Sequence, residues 1–507
     1  MLLCGGGMRC GGIGDEFQVS ALKSTTSRCP VCQCACPAVV ERRDNQVFLT
    51  RTCPTHGEFS ACIASDARFY WLAQGKEENR DGSCCGGGGC CAADGKSAGT
   101  IGRNAEGRGE NPIEVLSTCL ALIEIVNSCN LSCPTCYADS PLMNGHSGHS
   151  KAALTPALSR REREHEVSPS TLWGEGRGEG LGGRPSIVPF ADIQHRVDGV
   201  INRKGKIEIL QFSGGEPTLH PQLVGLCRWV KQHAQIDFLL INTNGVRFAR
   251  EPELCQRLGE VFKDGGLQIY LQFDGVQEAG QRALRGGDLR AMREEAIANL
   301  AAANIPITLA MTVTRENLPH LWEAVDFGLK HPIIHGITFQ PAFGSGRKPA
   351  AKTDRVCADR LNTADVILGA VEQSGGQLRF EDFTPLPCGD PNCATIGYLI
   401  RQGDKVWHVS DFLDFTKLQG FLHDKIHYTL ADLAQCGCEN TELGELLKTL
   451  EATRSMAFRL MVKPFMDAWT WDEDRIDRCC THVIRPDGKL DSFCRYYSGF
   501  ADTKVAL

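Results

Sequence analysis

Three cysteines spaced C-x3-C-x2-C constrain this 507-residue chain more than any other feature. Cys129, Cys133 and Cys136 follow directly after the apolar run Leu120–Val126. Three thiolates this close together can bind three irons of a [4Fe–4S] cubane, which leaves the fourth iron without a protein ligand. Zinc is the alternative, but structural zinc usually takes four ligands from two paired arms, and no second arm lies nearby. The spacing therefore predicts an iron–sulfur site at the end of a strand.

The chain contains 26 cysteines and carries a formal charge of −7. Cysteines this numerous in a long chain without a recognisable signal segment are expected to bind metals rather than to form disulfides. The sequence has no run of 18 apolar residues that would cross a membrane, and its mild acidity argues against nucleic acid as a main partner. We expect a cytoplasmic globular enzyme in a reducing, oxygen-poor setting.

A small cysteine-rich module is expected over residues 29–75, after a flexible N-terminus over 1–28. Two knuckles flank a predicted hairpin, which is typical of a zinc-ribbon or rubredoxin-like site for iron or zinc. The alternative is a set of free buried thiols. The predicted ligands are Cys29, Cys32 and Cys53, with His56, Cys34 or Cys36 as the fourth.

Two segments lack the apolar periodicity of a folded element. Residues 76–118 form a Gly-rich linker, including Cys84–Cys91, which is either disordered or wrapped around a cluster. Residues 143–185 are charged and Gly-rich, and we expect a disordered surface insertion without a catalytic role.

Over residues 119–345, apart from the insertion at 143–185, apolar runs alternate with helical patterns. The six predicted strands are 120–127, 206–212, 237–242, 267–273, 307–313 and 336–340. The predicted helices are 190–202, 221–233, 253–262, 288–303 and 318–330. Sixfold alternation predicts an α/β fold with a parallel sheet and outer helices, here a partial (β/α)6 TIM-like barrel over residues 119–345. Function then lies at the carboxyl ends of the strands.

Glycines and short polar side chains follow these predicted strands. Glycines allow close backbone approach, and a carboxylate beside them can pair with an ammonium group. Asn-Gly and Asp-Gly are also ordinary turn dipeptides, and Arg347 could bind an anion or be a solvated surface residue. The candidate binding residues are Gly214, Gly215, Glu216, Asn242, Asn244, Gln272, Asp274, Thr312, Gln340 and Arg347.

Further thiols recur in the C-terminal region, residues 346–507. Four thiolates close one cluster, so this region is expected to be an auxiliary cluster domain. The candidate ligands are Cys388, Cys393, Cys479, Cys480 and Cys494. Residues 456–471 are rich in Met and aromatics, and they could line a substrate cavity or belong to the core. Cys227, Cys255 and Cys357 are expected to be ordinary buried cysteines.

Together these motifs resemble the radical S-adenosylmethionine (SAM) superfamily, in particular the group of tetraether lipid synthases and dihydro-hydroxymethylpterin dimethyltransferases. The quoted pieces are CPVC with TCPTHGEF, the CNLSCPTCY run, LQFSGGEPTLHP, PCGDPNC and DRCCTHVIRPDGKLDSFC. The resemblance implies a SAM-binding [4Fe–4S] cluster on Cys129, Cys133 and Cys136. It also implies that the GGE motif, Gly214 to Glu216, binds the amino group of SAM, and that one or more auxiliary [4Fe–4S] clusters lie in the C-terminal region.

The implied activity is reductive cleavage of SAM to a 5′-deoxyadenosyl radical, which abstracts hydrogen from an unactivated C–H bond. A reductant such as ferredoxin or flavodoxin would supply the electron. Lipid C–C bond formation, with peripheral membrane contact, is one outcome. Alternatives are radical methylation of a pterin-like heterocycle, peptide modification, and a non-enzymatic iron–sulfur electron carrier. The sequence leaves the substrate and the oligomeric state open.

Overall fold

The computed structural model of the chain describes residues 19–72, 118–143, 186–347, 360–386, 389–402, 405–411 and 456–498. The predicted linker 76–118, except residue 118, and the predicted insertion, from residue 144 onward, lie outside these ranges, as do Cys357, Cys388 and the thiols of residues 84–91. Among the described helices, none has the length and apolar character needed to cross a bilayer.

The N-terminal module is a four-stranded antiparallel sheet in the order β1-β2-β3-β4. Its strands are β1 (Val19–Arg28), β2 (Ala35–Arg43), β3 (Gln46–Cys53) and β4 (Gly57–Ala64). Alternating side chains such as Val40 and Leu49 point into a small core, as period-2 burial requires. The expectation of a flexible segment up to residue 28 is wrong from Val19 onward, because β1 pairs with β2 along its length.

Six parallel strands form the centre of the second, larger sheet. They are β5 (Leu120–Val126), β6 (Ile207–Gly214), β7 (Ile236–Thr243), β8 (Leu267–Gln272), β9 (Ile307–Val313) and β10 (Ile334–Pro341). Each pairs with its sequence neighbour. Their near-continuous apolar residues are buried between the helices and the interior, as expected for a parallel sheet covered on its outer face. The six-unit α/β prediction is confirmed.

Ten described α-helices accompany these sheets. They are α1 (Phe190–Lys204), α2 (Leu223–Gln232), α3 (Val246–Arg250), α4 (Pro252–Val261), α5 (Glu278–Arg285), α6 (Arg290–Ala302), α7 (Leu321–Lys330), α8 (Thr363–Gln373), α9 (Glu473–Asp477) and α10 (Phe493–Tyr497). All five predicted helices are present, and Cys227 and Cys255 are buried core thiols as predicted. The short α3 and α5 were not predicted, because five to eight residues show little periodicity.

The C-terminal region extends both sides of the parallel sheet. Its strands are β11 (Phe383–Pro385), β12 (Thr395–Gln402), β13 (Lys405–His408), β14 (Met456–Val462), β15 (Thr481–Ile484) and β16 (Leu490–Ser492). β14 runs parallel to β10, and β15 runs parallel to β5. Among the described strands the resulting twelve-stranded mixed sheet is not closed into a barrel. The extensions place C-terminal cysteines beside the strand ends that carry the predicted motifs.

Candidate functional site

The loop after β5 carries the three cysteines of the C-x3-C-x2-C run. Backbone bonds fix both ends of this loop: Cys129 N–H donates to Pro141 (2.9 Å), and Cys136 exchanges two 2.9 Å bonds with Arg347. Among the described residues the three thiols do not form a group close enough to share one ion. Cys129 nevertheless interacts electrostatically with Cys133 and Cys136, as expected for thiols that could bind separate irons of one cluster.

Hydrogen bonds to sulfur support the cluster interpretation. The backbone N–H of Leu131 lies 3.4 Å from the Cys129 sulfur, and the Asn244 amide lies 3.5 Å from it. Burial raises the pKa of the Cys129 and Cys133 thiols. Since cysteine binds iron as thiolate, cluster binding would release these protons. The three thiols therefore fit a [4Fe–4S] cluster. Hydrogen bonds from N–H groups to cluster sulfurs are among the contacts that set the reduction potential of such clusters.

Gly214 and Gly215 pack against the backbone that leads into the cysteine loop. A Cβ on Gly214 would lie 2.0 Å from the Val126 carbonyl oxygen, and one on Gly215 would lie 2.0 Å from that of Ser128. Gly215 N–H donates to Val126 (2.7 Å) and Glu216 N–H to Ser128 (2.9 Å). The lack of a side chain at both glycines therefore lets two backbone segments of the protein lie in contact. Both glycines also line the cavity described below.

The Glu216 side chain is buried and accepts four hydrogen bonds from the protein. Its donors are the Thr218 backbone and hydroxyl groups, the Thr243 hydroxyl and the Asn244 backbone N–H. Burial raises the pKa of this carboxyl, although the hydrogen bonds favour its charged form. Glu216 is absent from the residues that line the cavity, whereas Asn242 and Asn244 line it. Its contacts position the ends of β6 and β7; pairing with an ammonium group stays a prediction.

A buried ion pair lies beneath the cysteine loop. Arg285 donates to both carboxylate oxygens of Asp274, at 2.6 and 2.9 Å, and to the Thr135 carbonyl at 3.2 Å. Asp274 also accepts the Thr312 N–H (3.0 Å) and does not line the cavity. Asp274, a predicted site residue, therefore holds Arg285 in place, and Arg285 is the member of the pair that lines the cavity. The role of Arg285 was not predicted, because nothing in the sequence distinguishes this arginine from the exposed Arg282 one turn earlier.

Arg347 binds the cysteine loop and is not a solvated surface residue. Its guanidinium donates to the carbonyls of Cys133 (2.8 Å) and Ser140 (3.3 Å) and lies 3.5 Å from Asp139. Its backbone pairs with Cys136. The guanidinium N–H groups of Arg347 therefore bond mainly to the loop that carries the thiols.

A cavity opens at the carboxyl ends of the parallel strands, with about 1880 Å³ of empty space including the part open to solvent. The cavity reaches from the cysteine loop, at Cys129 and Cys136, to Cys393 and Cys480 of the C-terminal region. Among the described lining residues none is a carboxylate, whereas four are cationic: Arg285, Arg347, Arg459 and Lys463. Predicted residues that line it include Gln272, Thr312 and Gln340.

A second group of thiols lies at the same cavity. Cys393 and Cys480 line it, and the charge on Cys393 interacts with Cys494 and Cys480. Cys479 interacts with Cys393, Cys480 and Cys494, and burial raises its pKa. The backbone N–H of Met466 donates to the Cys494 sulfur at 3.3 Å. The structure therefore brings together four of the five predicted C-terminal ligands.

The N-terminal module gathers its predicted ligands at one end of its sheet. The thiols of Cys29, Cys32 and Cys53 and the ring nitrogen of His56 all lie within 4.8 Å of one another. Hydrogen bonds to the Cys53 sulfur outweigh the effect of desolvation and lower its pKa to about 5. His56, one of three candidates for the fourth ligand, thus completes a group of the composition that binds zinc.

The Met- and aromatic-rich segment 456–471 contributes both to the cavity lining and to the core, the two roles predicted for it. Met461 and Phe465 line the cavity, whereas Met466 and Trp471 are buried in a small hydrophobic cluster. The cationic side chains Arg459 and Lys463 of this segment also line the cavity and were not predicted as site residues. Arg459 lies on β14 and Lys463 directly follows that strand, and nothing in this local pattern shows that both side chains face the cavity.

Two family models match the chain. Residues 21–65 match the N-terminal zinc ribbon domain of HMPTM, and residues 123–328 match the radical SAM superfamily. The first match covers the four-stranded module, and the second covers β5 to α7 with the cysteine loop, the Gly-Gly-Glu turn and the Asp274–Arg285 pair. A zinc-ribbon-like module and a radical SAM core were both expected from the sequence.

Among characterised proteins, the chain is 24% identical to 7,8-dihydro-6-hydroxymethylpterin dimethyltransferase of Methanocaldococcus jannaschii, over 94% of this chain and 93% of that protein. It is 28% identical to GTP 3′,8-cyclase of Synechococcus elongatus, over 30% of this chain and 44% of that protein. Among solved structures, Streptococcus suis SuiB bound to its precursor peptide SuiA aligns with a TM-score of 0.35 and 12% identity, over 78% of this chain and 67% of SuiB.

Proposed function

We propose that the chain is a radical SAM enzyme and that it methylates a small polar heterocycle of the pterin type. A [4Fe–4S] cluster at Cys129, Cys133 and Cys136 would supply the electron that splits SAM into methionine and a 5′-deoxyadenosyl radical. The radical would abstract a hydrogen atom from a substrate C–H bond, and a second SAM would then give its methyl group to the substrate radical with a second electron from the reductant, leaving S-adenosylhomocysteine. The relative from Methanocaldococcus jannaschii, whose length the chain nearly matches, supports the pterin as substrate class.

The protein's part is to place SAM and substrate side by side. We assign SAM to the end of the cavity near the cysteine loop, where Asn242, Asn244 and Thr312 present short polar groups. The cationic lining suits the carboxylate of its methionine part. Burial of the reacting bond within the cavity keeps water from the radical.

One observation supports a polar heterocycle above the other substrates: hydrogen-bonding side chains line the cavity between its two thiol groups. Gln340 donates to the Tyr270 hydroxyl (2.9 Å), and Gln272, Thr308 and Thr338 lie on the neighbouring strands. Covering these groups with hydrocarbon would leave unpaired those donors and acceptors that the protein does not already satisfy, at a cost of about 1–3 kcal/mol each. A ring with its own donors and acceptors would satisfy them.

Lipid coupling is the second candidate, and one wall of the cavity favours it. Phe343, Phe465 and Phe493 lie in a row there, with ring centroids 5.3 and 4.2 Å apart. These rings would accept an alkyl chain. They would also stack on a flat heterocycle, so they favour lipid less strongly than the polar side chains favour a pterin.

We further propose an auxiliary [4Fe–4S] cluster on the C-terminal thiols. Cys393, Cys479, Cys480 and Cys494 support it by their mutual proximity, and Cys388 remains a fifth candidate. Arg475, buried beside Cys393 at 3.8 Å, would offset part of the negative charge of a thiolate cluster. A cluster here would lie on the substrate side of the cavity, where it could bind substrate or pass electrons.

The test is substrate-dependent SAM consumption by the anaerobically reconstituted enzyme. Reduced 6-hydroxymethylpterin and an isoprenoid glycerol lipid are compared, with products identified by mass spectrometry. The proposal predicts a methylated pterin and an unchanged lipid. Gln272→Leu should reduce pterin turnover roughly tenfold or more, as expected for one lost buried hydrogen bond; iron content is measured beside it because Gln272 also accepts a 3.1 Å bond from Arg293. The control Gln268→Leu, on the same strand but outside the cavity lining, should leave turnover unchanged. Coupled lipid without methylated pterin would overturn the proposal.

A further inference from the structure

Six metal-binding side chains meet at one end of the N-terminal sheet, although one zinc ion needs only four. The group of Cys29, Cys32, Cys53 and His56 has the dimensions of a tetrahedral site. Zinc bonds of about 2.3 Å to sulfur and 2.0–2.1 Å to nitrogen imply edges of about 3.8 Å between sulfurs and about 3.6 Å between sulfur and nitrogen. The observed Cys32–Cys53 edge is 3.8 Å, and the edges from His56 to Cys29 and Cys53 are 3.6 and 3.5 Å.

Two more thiols lie beside this group, and the sulfur of Cys34 is 3.2 Å from that of Cys32. The sulfur of Cys34 is 3.6 Å from that of Cys53 and 3.8 Å from that of Cys36, and all three lie within 4.8 Å of one another. These are again edges of a tetrahedral thiolate site. Cys53 is the one residue that belongs to both groups.

A local turn puts Cys34 in this position. Gln33 has a left-handed backbone (φ 61°), which is uncommon for a residue other than glycine. The turn allows Cys29 N–H to bond the Cys34 carbonyl and Gln33 N–H to bond the Cys29 carbonyl, each at 2.9 Å. It folds Cys34 back over the first knuckle, while Cys36 begins the buried face of β2.

We propose that the module binds two ions, with the Cys53 thiolate bridging them. The first ion takes Cys29, Cys32, Cys53 and His56. The second takes Cys34, Cys36 and the shared Cys53, with its fourth position open to solvent because Cys34 is exposed. Three thiolates select a soft ion, and Zn²⁺ suits both groups. An open fourth position distinguishes the second ion from a closed structural zinc.

The experiment counts zinc in the full-length protein after its iron–sulfur sites have been reconstituted anaerobically. Zinc is added alone, excess is removed, and metals per chain are measured by mass spectrometry of the native protein. Cys34→Ser/Cys36→Ser should lower the zinc count by one, and Cys53→Ser should lower it by two. Cys62→Ser is the matched control, since Cys62 lies on β4 in neither group, and it should leave the count unchanged.

A single variant at an exposed position distinguishes loss of the second ion from misfolding of the module. Cys34 is exposed, so Cys34→Ser leaves the core of the module intact and should still lose the second ion under dilute zinc. Retention of the wild-type count by both Cys34→Ser and the double variant would overturn the proposal. So would the loss of only one ion in Cys53→Ser, since a shared ligand must affect both.

Discussion

The carboxylate of Glu216 accepts a 2.7 Å hydrogen bond from the backbone N–H of Asn244, whose side chain lies 3.5 Å from the Cys129 sulfur. This relationship joins the ends of β6 and β7 to the loop that carries Cys129, Cys133 and Cys136, the proposed cluster ligands. Because the other Glu216 oxygen accepts three more bonds, the carboxylate acts as a fixed acceptor at the centre of the site. Its contacts place Asn244 against the sulfur.

Glu216→Gln should therefore disturb the site although it hardly changes the side-chain volume. An amide NH2 would face an N–H or O–H donor in either orientation, which leaves buried donors unpaired at a cost of about 1–3 kcal/mol. Urea unfolding and iron content after reconstitution measure the effect. The exposed Glu260→Gln on α4 is the control and should match the wild type. Wild-type iron content in Glu216→Gln would show that the Asn244 contact does not depend on the carboxylate.

Gly215→Ala should destabilise the protein by about 3 kcal/mol, since its Cβ would lie 2.0 Å from the Ser128 carbonyl oxygen. The displaced backbone would also move the loop that begins at Cys129, so iron incorporation should fall. Gly199→Ala in α1, where the nearest atom is 3.6 Å away, should instead stabilise by about 0.5–1 kcal/mol. Thermal unfolding of the two variants makes the comparison, and equal effects would contradict the packing account.

Asp274→Asn should cost about 3–5 kcal/mol, because it leaves the buried Arg285 guanidinium without its counter-charge. The double variant Asp274→Asn/Arg285→Gln should be less destabilised than the sum of the single variants, since it removes both charges. Unfolding free energies of the four proteins complete the cycle. Additive losses would mean that the two side chains act independently.

Acid should destabilise the protein through His335. Burial, with help from Arg401 and Arg459, lowers its pKa from 6.5 to about 4. Above pH 6.5 both folded and unfolded states hold neutral histidine, so the residue adds no pH dependence there. Between pH 6.5 and about 4 only the unfolded state gains the proton, which costs about 2 kcal/mol of stability at pH 5.

His335→Gln should remove that loss, and the exposed His195→Gln should not. The measurement is the difference in unfolding free energy between pH 7.5 and pH 5 for the wild type and both variants. An unchanged pH dependence in His335→Gln would assign the acid sensitivity to other groups.

Sequence patterns predicted the strands, the main helices and the thiols that meet, because apolar periodicity and ligand spacing are local properties. They did not predict that β14 and β15 extend the sheet, since long-range pairing has no local signature. Glu216 and Asp274 were expected to bind ligand, yet their side chains bond Asn244 and Arg285. A motif marks where a carboxylate lies along a chain, whereas its partners depend on neighbouring strands.

Formation of 5′-deoxyadenosine tests the central claim most directly. The anaerobically reconstituted wild type, Cys133→Ala and the control Cys227→Ala, a core thiol of α2, are incubated with SAM and dithionite. The account predicts 5′-deoxyadenosine from the wild type and Cys227→Ala, and none above background from Cys133→Ala. Product from Cys133→Ala at the wild-type rate, or none from a wild type that holds its full complement of iron, would contradict it.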